Sequence, residues 1–166
     1  MIYLVGIILF GILTILQSTV VTRMPLLHGT PDLILIFLLA WALQDRVKSA
    51  WHWCIIGSIY TSFYSALPFG TYIIAYLMAT GVARMLKQRV WKAPILAMLA
   101  ATFIGTLLVQ IISVISLLIM GVNLPLVTVF NIIALPGLLL NLFLAIPVFY
   151  IMQDVARWLY PEELEV

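Results

Sequence analysis

The chain has no charged residue between Lys92 and Asp154. A water-exposed surface normally carries many charged groups, whereas the hydrocarbon interior of a bilayer excludes them. Over the whole chain, hydrophobic residues make up 65%, charged residues make up 8%, and the mean hydropathy is +1.22. These values predict an all-α, polytopic membrane protein. Residues 1–166 then form a single integral membrane domain, which leaves no room for a separate soluble domain.

The apolar segments divide the chain into six predicted helices. A crossing needs about 20 residues, and the segments run over Ile2–Val21, Pro31–Asp45, Ser49–Leu67, Thr71–Leu86, Pro94–Met120 and Phe130–Met152. The second segment is the shortest, so it crosses only if Gln44, Asp45 and Arg46 lie near the opposite surface. The predicted architecture is a six-transmembrane-helix bundle.

The basic residues predict the orientation of this bundle. With six crossings and an internal N-terminus, one side receives Arg46, Lys48, Arg84, Lys87, Arg89, Lys92 and Arg157. The other side receives only Arg23. Basic residues are enriched in cytoplasmic loops, so both termini are predicted to lie in the cytoplasm.

The fifth predicted helix carries small residues at four-residue spacing, namely Ala97, Ala101 and Gly105. Small side chains let helix backbones approach closely in lipid, which predicts a helix–helix contact here. In the sixth helix, Asn141 lies deep in the bilayer by position. A polar side chain at that depth is expected to face the bundle and find a hydrogen-bond partner.

The segment between the first two predicted helices holds the outer charges. Thr30 is a suitable N-cap, Pro31 suits the first helical position, and Asp32 places an anion near the positive end of the helix dipole. Two interpretations of Asp32 follow. It either helps the helix to begin, or it forms a contact site at the membrane surface together with Gln17 and Arg23.

The sequence offers no catalytic or cofactor-binding pattern. His28 and His52 fall on opposite sides of the predicted membrane and cannot share a metal ion. Cys54 is the only cysteine, and neither a glycine-rich phosphate loop nor paired intramembrane carboxylates are present. The net charge of +2 is too small to indicate a nucleic-acid partner. These features predict a protein that is not an enzyme and has no metal or cofactor.

Several short motifs resemble the rod shape-determining protein MreD family. They are Leu16-Gln17-Ser18-Thr19-Val20, Pro31-Asp32-Leu33, Pro68-Phe69-Gly70 and Asn141-Leu142-Phe143-Leu144-Ala145-Ile146-Pro147-Val148-Phe149. The resemblance extends over the whole chain in length and helix count. Many family members have an acidic residue late in the third helix, where this chain has Tyr60-Thr61-Ser62.

The resemblance implies a non-enzymatic scaffold or regulatory subunit of the bacterial cell-wall elongation (rod) complex in the inner membrane. Such a subunit supports cell shape and peptidoglycan synthesis. It binds the single-span membrane protein MreC and works beside the glycosyltransferase RodA and a class B penicillin-binding transpeptidase. A homo-oligomer and contacts with membrane lipids are compatible with this role. Gln17, Arg23 and Asp32 are the candidate interface for the MreC-type partner.

An alternative is a substrate-binding subunit of an energy-coupling-factor vitamin transporter, because the predicted architecture is similar to those six-helix subunits. They often dock through an Ala-x-x-x-Ala pattern on the first helix. That pattern is missing here, where Gly6 and Gly11 are five residues apart.

Overall fold

The computed structural model describes residues 2–19, 29–89, 93–122, 125 and 130–161. In these residues the fold is all-helical. Its six α-helices are α1 (Ile2–Thr19), α2 (Leu33–Leu43), α3 (Ala50–Tyr64), α4 (Gly70–Arg89), α5 (Pro94–Ile119) and α6 (Leu135–Leu159). A π-helix over Phe130–Ala134 leads directly into α6.

Three of the helices in the described part of the chain are long and apolar enough to span a membrane, namely α1, α5 and α6. The short α2 is apolar as well, but its 11 residues extend over only about 17 Å at 1.5 Å per residue. The structure therefore supports a helical, membrane-type protein with three clear candidate spans.

The shortest helix, α2, lies at the centre of the fold. It contacts each of the other five helices, and α1, α3, α4, α5 and α6 follow one another as neighbours around it. A helix that is apolar on all sides must be enclosed by protein or lipid. Here protein encloses it, because the side chains of Ile34, Leu38 and Leu39, which lie on more than one side of the helix, are almost completely buried.

Small residues bring α4 and α5 close to each other. Ala75, Ala79 and Ala83 of α4 are fully buried, and a Cβ atom at Gly105 of α5 would lie 3.5 Å from the Cβ of Ala79. The same added atom would lie 3.0 Å from Leu39 Cδ1 of α2. Because the side chain at position 105 is absent, three helix backbones can pack around this point.

Polar contacts mark the end of the bundle where α2, α4 and α6 finish. Lys87 Nζ of α4 donates to the carbonyl of Gln44 at 2.5 Å, just after α2. Arg46 Nη1 donates to the carbonyl of Tyr160 at 3.3 Å, just after α6. At this same end, Trp41 stacks on Trp53 with ring centroids 4.0 Å apart. The helices that finish here are therefore parallel to one another.

Most predicted helix limits lie within a few residues of those observed, but two differ. The second helix begins at Leu33 with Asp32 as its N-cap, so the prediction that Thr30 is the N-cap was wrong. The last helix continues to Leu159, beyond the predicted end at Met152. The segment over residues 130–134, which was predicted as the start of this helix, is a π-helix, and the sequence pattern did not predict that.

Candidate functional site

The start of α2 is fixed by the carboxylate of Asp32. One oxygen, Oδ1, accepts a hydrogen bond from the amide of Leu35 at 3.0 Å, as expected of an N-cap. The hydroxyl of Tyr76, on α4, donates to both carboxylate oxygens at 2.9 and 2.8 Å. Tyr76 is completely buried, so this carboxylate joins two helices inside the bundle.

Gln17 connects the end of α1 to the same segment. Its Nε2 donates to the carbonyl of Pro31 at 2.6 Å, and its Oε1 accepts from the amide of Leu33 at 2.9 Å. The carbonyl of Pro31 precedes α2 and the amide of Leu33 lies at its first residue, so neither group has a hydrogen-bond partner within the helix. A single amide side chain thus satisfies both groups and is itself 5% exposed.

Asn141 connects α6 to the same segment. Its Oδ1 accepts from the backbone amide of Asp32 at 2.8 Å, and its Nδ2 donates to Thr106 Oγ1 of α5 at 2.9 Å. Asn141 is 2% exposed, so both bonds lie in the interior. We call the side chains of Gln17, Asp32, Tyr76, Thr106 and Asn141 the polar node. It joins α1, α2, α4, α5 and α6.

Close backbone contact brings the start of α6 against the polar node. A Cβ atom at Gly29 would lie 2.6 Å from the backbone nitrogen of Gly137, so only glycine fits at position 29. On the other side, Gln110 Nε2 of α5 donates to the carbonyl of Ala134 at 3.0 Å. Ala134 ends the π-helix, and π-helical turns are frequent at functional sites.

A cavity of about 300 Å³ opens beside the polar node. Asp32, Gln17, Thr106 and Asn141 form one part of its wall. Other lining side chains bear hydroxyl or amide groups, namely Tyr64, Tyr72, Gln110 and Ser113. The described residues lining it include no basic side chain, and Asp32 is the charged group among them. Apolar side chains form the rest of the wall, and the polar groups among them can hydrogen-bond water or a ligand.

The structure brings together some of the residues that the sequence indicated and leaves one outside. Gln17 and Asp32 meet in the polar node, where Gln17 is buried and Asp32 is partly exposed. Arg23 lies outside the described residues. Gln17 therefore holds backbone groups of its own chain and does not lie on an open outer surface.

The residues indicated for helix packing lie in the interior of the bundle. They are Ala97, Ala101, Gly105 and Asn141, and Asn141 is the one that also contributes to the polar node. Sequence inspection did not single out Tyr76 or Thr106. Their signal is weak, because a tyrosine or threonine on an apolar helix is common and its partner lies more than 30 residues away along the chain.

Within the described residues, no group of three or more His, Cys, Asp or Glu side chains could hold a metal ion. Cys54 is buried. In comparisons with known proteins, no family model, no curated protein and no solved structure matches this chain. The polar node and its cavity are therefore interpreted from their own chemistry.

Proposed function

We propose that the chain crosses the bacterial inner membrane six times, with both termini in the cytoplasm. In support, the helices alternate between the two ends of the bundle. Tyr3 near the start of α1 contacts His52 near the start of α3, whereas Gln17 near the end of α1 meets the start of α2. Lys87 and Arg46 then lie at the end assigned to the cytoplasm, as the positive-inside rule requires.

Cysteine labelling tests this topology in a protein that lacks Cys54. Ala66, between α3 and α4, and Gln88, at the end of α4, are both exposed and accept a cysteine without loss of packing. Gly29 is unsuitable, because any side chain there would meet Gly137. We expect a membrane-impermeant maleimide to label position 66, and not position 88, in intact spheroplasts. Labelling of position 88 from outside would contradict the six-crossing topology.

We further propose that the protein is a non-enzymatic scaffold subunit of the cell-wall elongation complex, similar to the MreD family. The observation that carries this proposal is the meeting of separate family-like motifs in the polar node. Gln17 of the first motif binds Pro31 and Leu33 of the second, and Asn141 of the last motif binds the backbone of Asp32. Residues far apart in sequence thus act as one structural unit.

The proposed partners are an MreC-type single-span protein, a RodA glycosyltransferase and a class B penicillin-binding transpeptidase. Because Gln17 is engaged within the chain and Asp32 lines the cavity, a partner at the outer end would meet exposed groups such as Phe63 and Phe69. These rings are 77% and 53% exposed and contact each other edge to face, with centroids 5.7 Å apart.

Co-purification from native membranes tests the function. A tagged chain should recover the MreC-type protein, and its depletion should convert rods to round cells. We expect Phe63→Ser with Phe69→Ser to lower that recovery while the protein still accumulates. The matched control is Phe143→Ser, which removes an equally exposed ring (78%) from α6. Failure to recover any elongation protein, with normal cell shape after depletion, would refute the proposal.

The cavity favours one alternative function, that of a substrate-binding subunit of an energy-coupling-factor transporter. A cavity of about 300 Å³ with several polar groups has the size and character of a small-molecule site. The co-purification experiment separates the two functions. Recovery of an ATPase and a coupling subunit would favour the transporter, and so would genes for those proteins beside this one.

A further inference from the structure

The cavity beside the polar node has a chemical character that indicates its ligand. Its charged lining group among the described residues is a carboxylate, Asp32, and the other polar side chains in the wall bear hydroxyl or amide groups. Gln110 uses its Nε2 to bind Ala134, which leaves the carbonyl oxygen as the acceptor atom of that amide. An anionic ligand would be repelled at such a site, and a ligand without donors would leave these acceptors unpaired.

The bonds already made by Asp32 leave accepting capacity for a ligand. Its Oδ1 accepts from Leu35 and Tyr76, whereas Oδ2 accepts only from Tyr76 in the described structure. Each carboxylate oxygen offers two lone pairs. No lysine, arginine or histidine of the described chain forms a salt bridge with this carboxylate. The carboxylate is partly exposed and is hydrogen-bonded but has no counter-ion in the described residues, so a cation in the cavity would supply the opposite charge.

Two tyrosine rings add a second feature that favours a cation. Tyr64 and Tyr72 both line the cavity, and the face of an aromatic ring attracts a positive charge. Leu35, Val109 and Leu117 form an apolar part of the same wall. The site thus combines an anionic, acceptor-rich end with room for an apolar body.

We propose that this cavity binds a ligand through a protonated primary amine, which is held by the carboxylate of Asp32 and the carbonyl oxygen of Gln110. A primary ammonium group has three N–H donors, which match these two acceptors and one hydroxyl oxygen of the cavity wall. A quaternary ammonium group has no N–H donor. Two sources supply this chemistry, the headgroup of phosphatidylethanolamine and a soluble amine. The inference does not depend on the binding of an MreC-type partner.

Native mass spectrometry and calorimetry of the full-length protein in detergent test the inference. The lipid probes are phosphatidylethanolamine and phosphatidylcholine, and the soluble probe is ethanolamine. We expect a primary-amine probe to bind at a ratio of one per protein and about tenfold more tightly than phosphatidylcholine, because only the primary amine donates hydrogen bonds. Binding of ethanolamine by itself identifies a soluble amine as the source, and binding of the lipid only identifies the headgroup. Equal affinity for both lipids with no binding of ethanolamine would overturn the proposal.

Three variants connect the binding to this cavity. Asp32→Asn removes the negative charge. Ser113→Phe fills the cavity from α5 and leaves the carboxylate in place. If Asp32→Asn does not fold, Ser113→Phe alone shows whether the amine binds in this cavity. Both should weaken amine binding about tenfold or more. The control, Asp154→Asn, removes an exposed carboxylate at the other end of the bundle and should leave binding unchanged. Unchanged binding in Ser113→Phe would refute the site.

Occupation of the cavity by the chain's own Arg23 is another outcome that the experiment distinguishes. If its guanidinium filled the cavity, the unaltered protein would bind no amine and Arg23→Gln would gain binding. That result would overturn the proposal of an external ligand. We expect the unaltered protein and Arg23→Gln to bind the amine equally.

Discussion

Replacement of Asn141 by leucine tests the polar node most directly. Leucine has the same branching as asparagine but is larger, so the substitution leaves no empty space, and the cavity that Asn141 lines offers room for the added volume. The substitution therefore mainly removes two hydrogen bonds. One of them satisfies the backbone amide of Asp32, and the other joins α6 to Thr106 of α5. The asparagine is 2% exposed and lies on the wall of the cavity, so only water inside that cavity can replace its bonds.

The expected loss of stability follows from these two bonds. Leaving a buried amide without an acceptor costs about 1–3 kcal/mol, and the bond to the threonine hydroxyl adds about 1 kcal/mol. Hydrogen bonds between membrane helices average about 0.6 kcal/mol, which favours the lower part of this range. We therefore expect Asn141→Leu to reduce the free energy of unfolding by about 2–3 kcal/mol.

Titration with sodium dodecyl sulfate in mixed micelles measures this free energy. Asn131→Leu is the matched control, because Asn131 lies on the π-helix with an exposed side chain and should change stability by about 0.5 kcal/mol or less. If Asn141→Leu unfolds within that same margin of the unaltered protein, the polar node does not stabilise the bundle, and the reasoning fails.

Two other variants test the contacts around α2 by the same titration. Ala101→Leu combined with Gly105→Leu should lower the free energy of unfolding by about 2–6 kcal/mol, because each adds side-chain volume to a filled interface; the control Phe103→Leu, at a 44% exposed position, should have little effect, and an unchanged double variant would mean that the interface is not tightly packed. Tyr76→Phe should lower it by about 1.5–3 kcal/mol, because the lost hydroxyl donates to a carboxylate. Tyr150→Phe removes a hydroxyl from a 49% exposed ring and should be silent, so equal effects of the two tyrosine variants would contradict the contact with α4.

Local patterns in the sequence account for most of the helices. Their existence and approximate limits depend on runs of apolar residues, on Pro94 at the start of α5 and on the charged residues near the ends of α2 and α4. The same hydropathy indicates a membrane environment. The spacing of Ala97, Ala101 and Gly105 also indicated the buried face of α5, because small residues at this spacing fall on one side of a helix.

The start of α2 shows where local information ends. Thr30 and Asp32 are both good N-caps by residue type, and the sequence favoured Thr30. In the structure the carbonyl of Pro31 accepts from Gln17, and the amide of Asp32 donates to Asn141. These partners are supplied by α1 and α6. They hold residues 31 and 32 outside the helix, so the helix begins at Leu33.

The sequence by itself determined a helical, membrane-type chain, because hydropathy and helix-ending residues act within a few turns of where they occur. Only the tertiary structure decided that the shortest helix is the central one and that its first residues are bound by side chains from α1, α4 and α6. A hydrogen bond depends on atoms being within about 3 Å of each other. Which distant residues reach that separation is set by how all the helices pack together, and no local pattern in the chain contains that information.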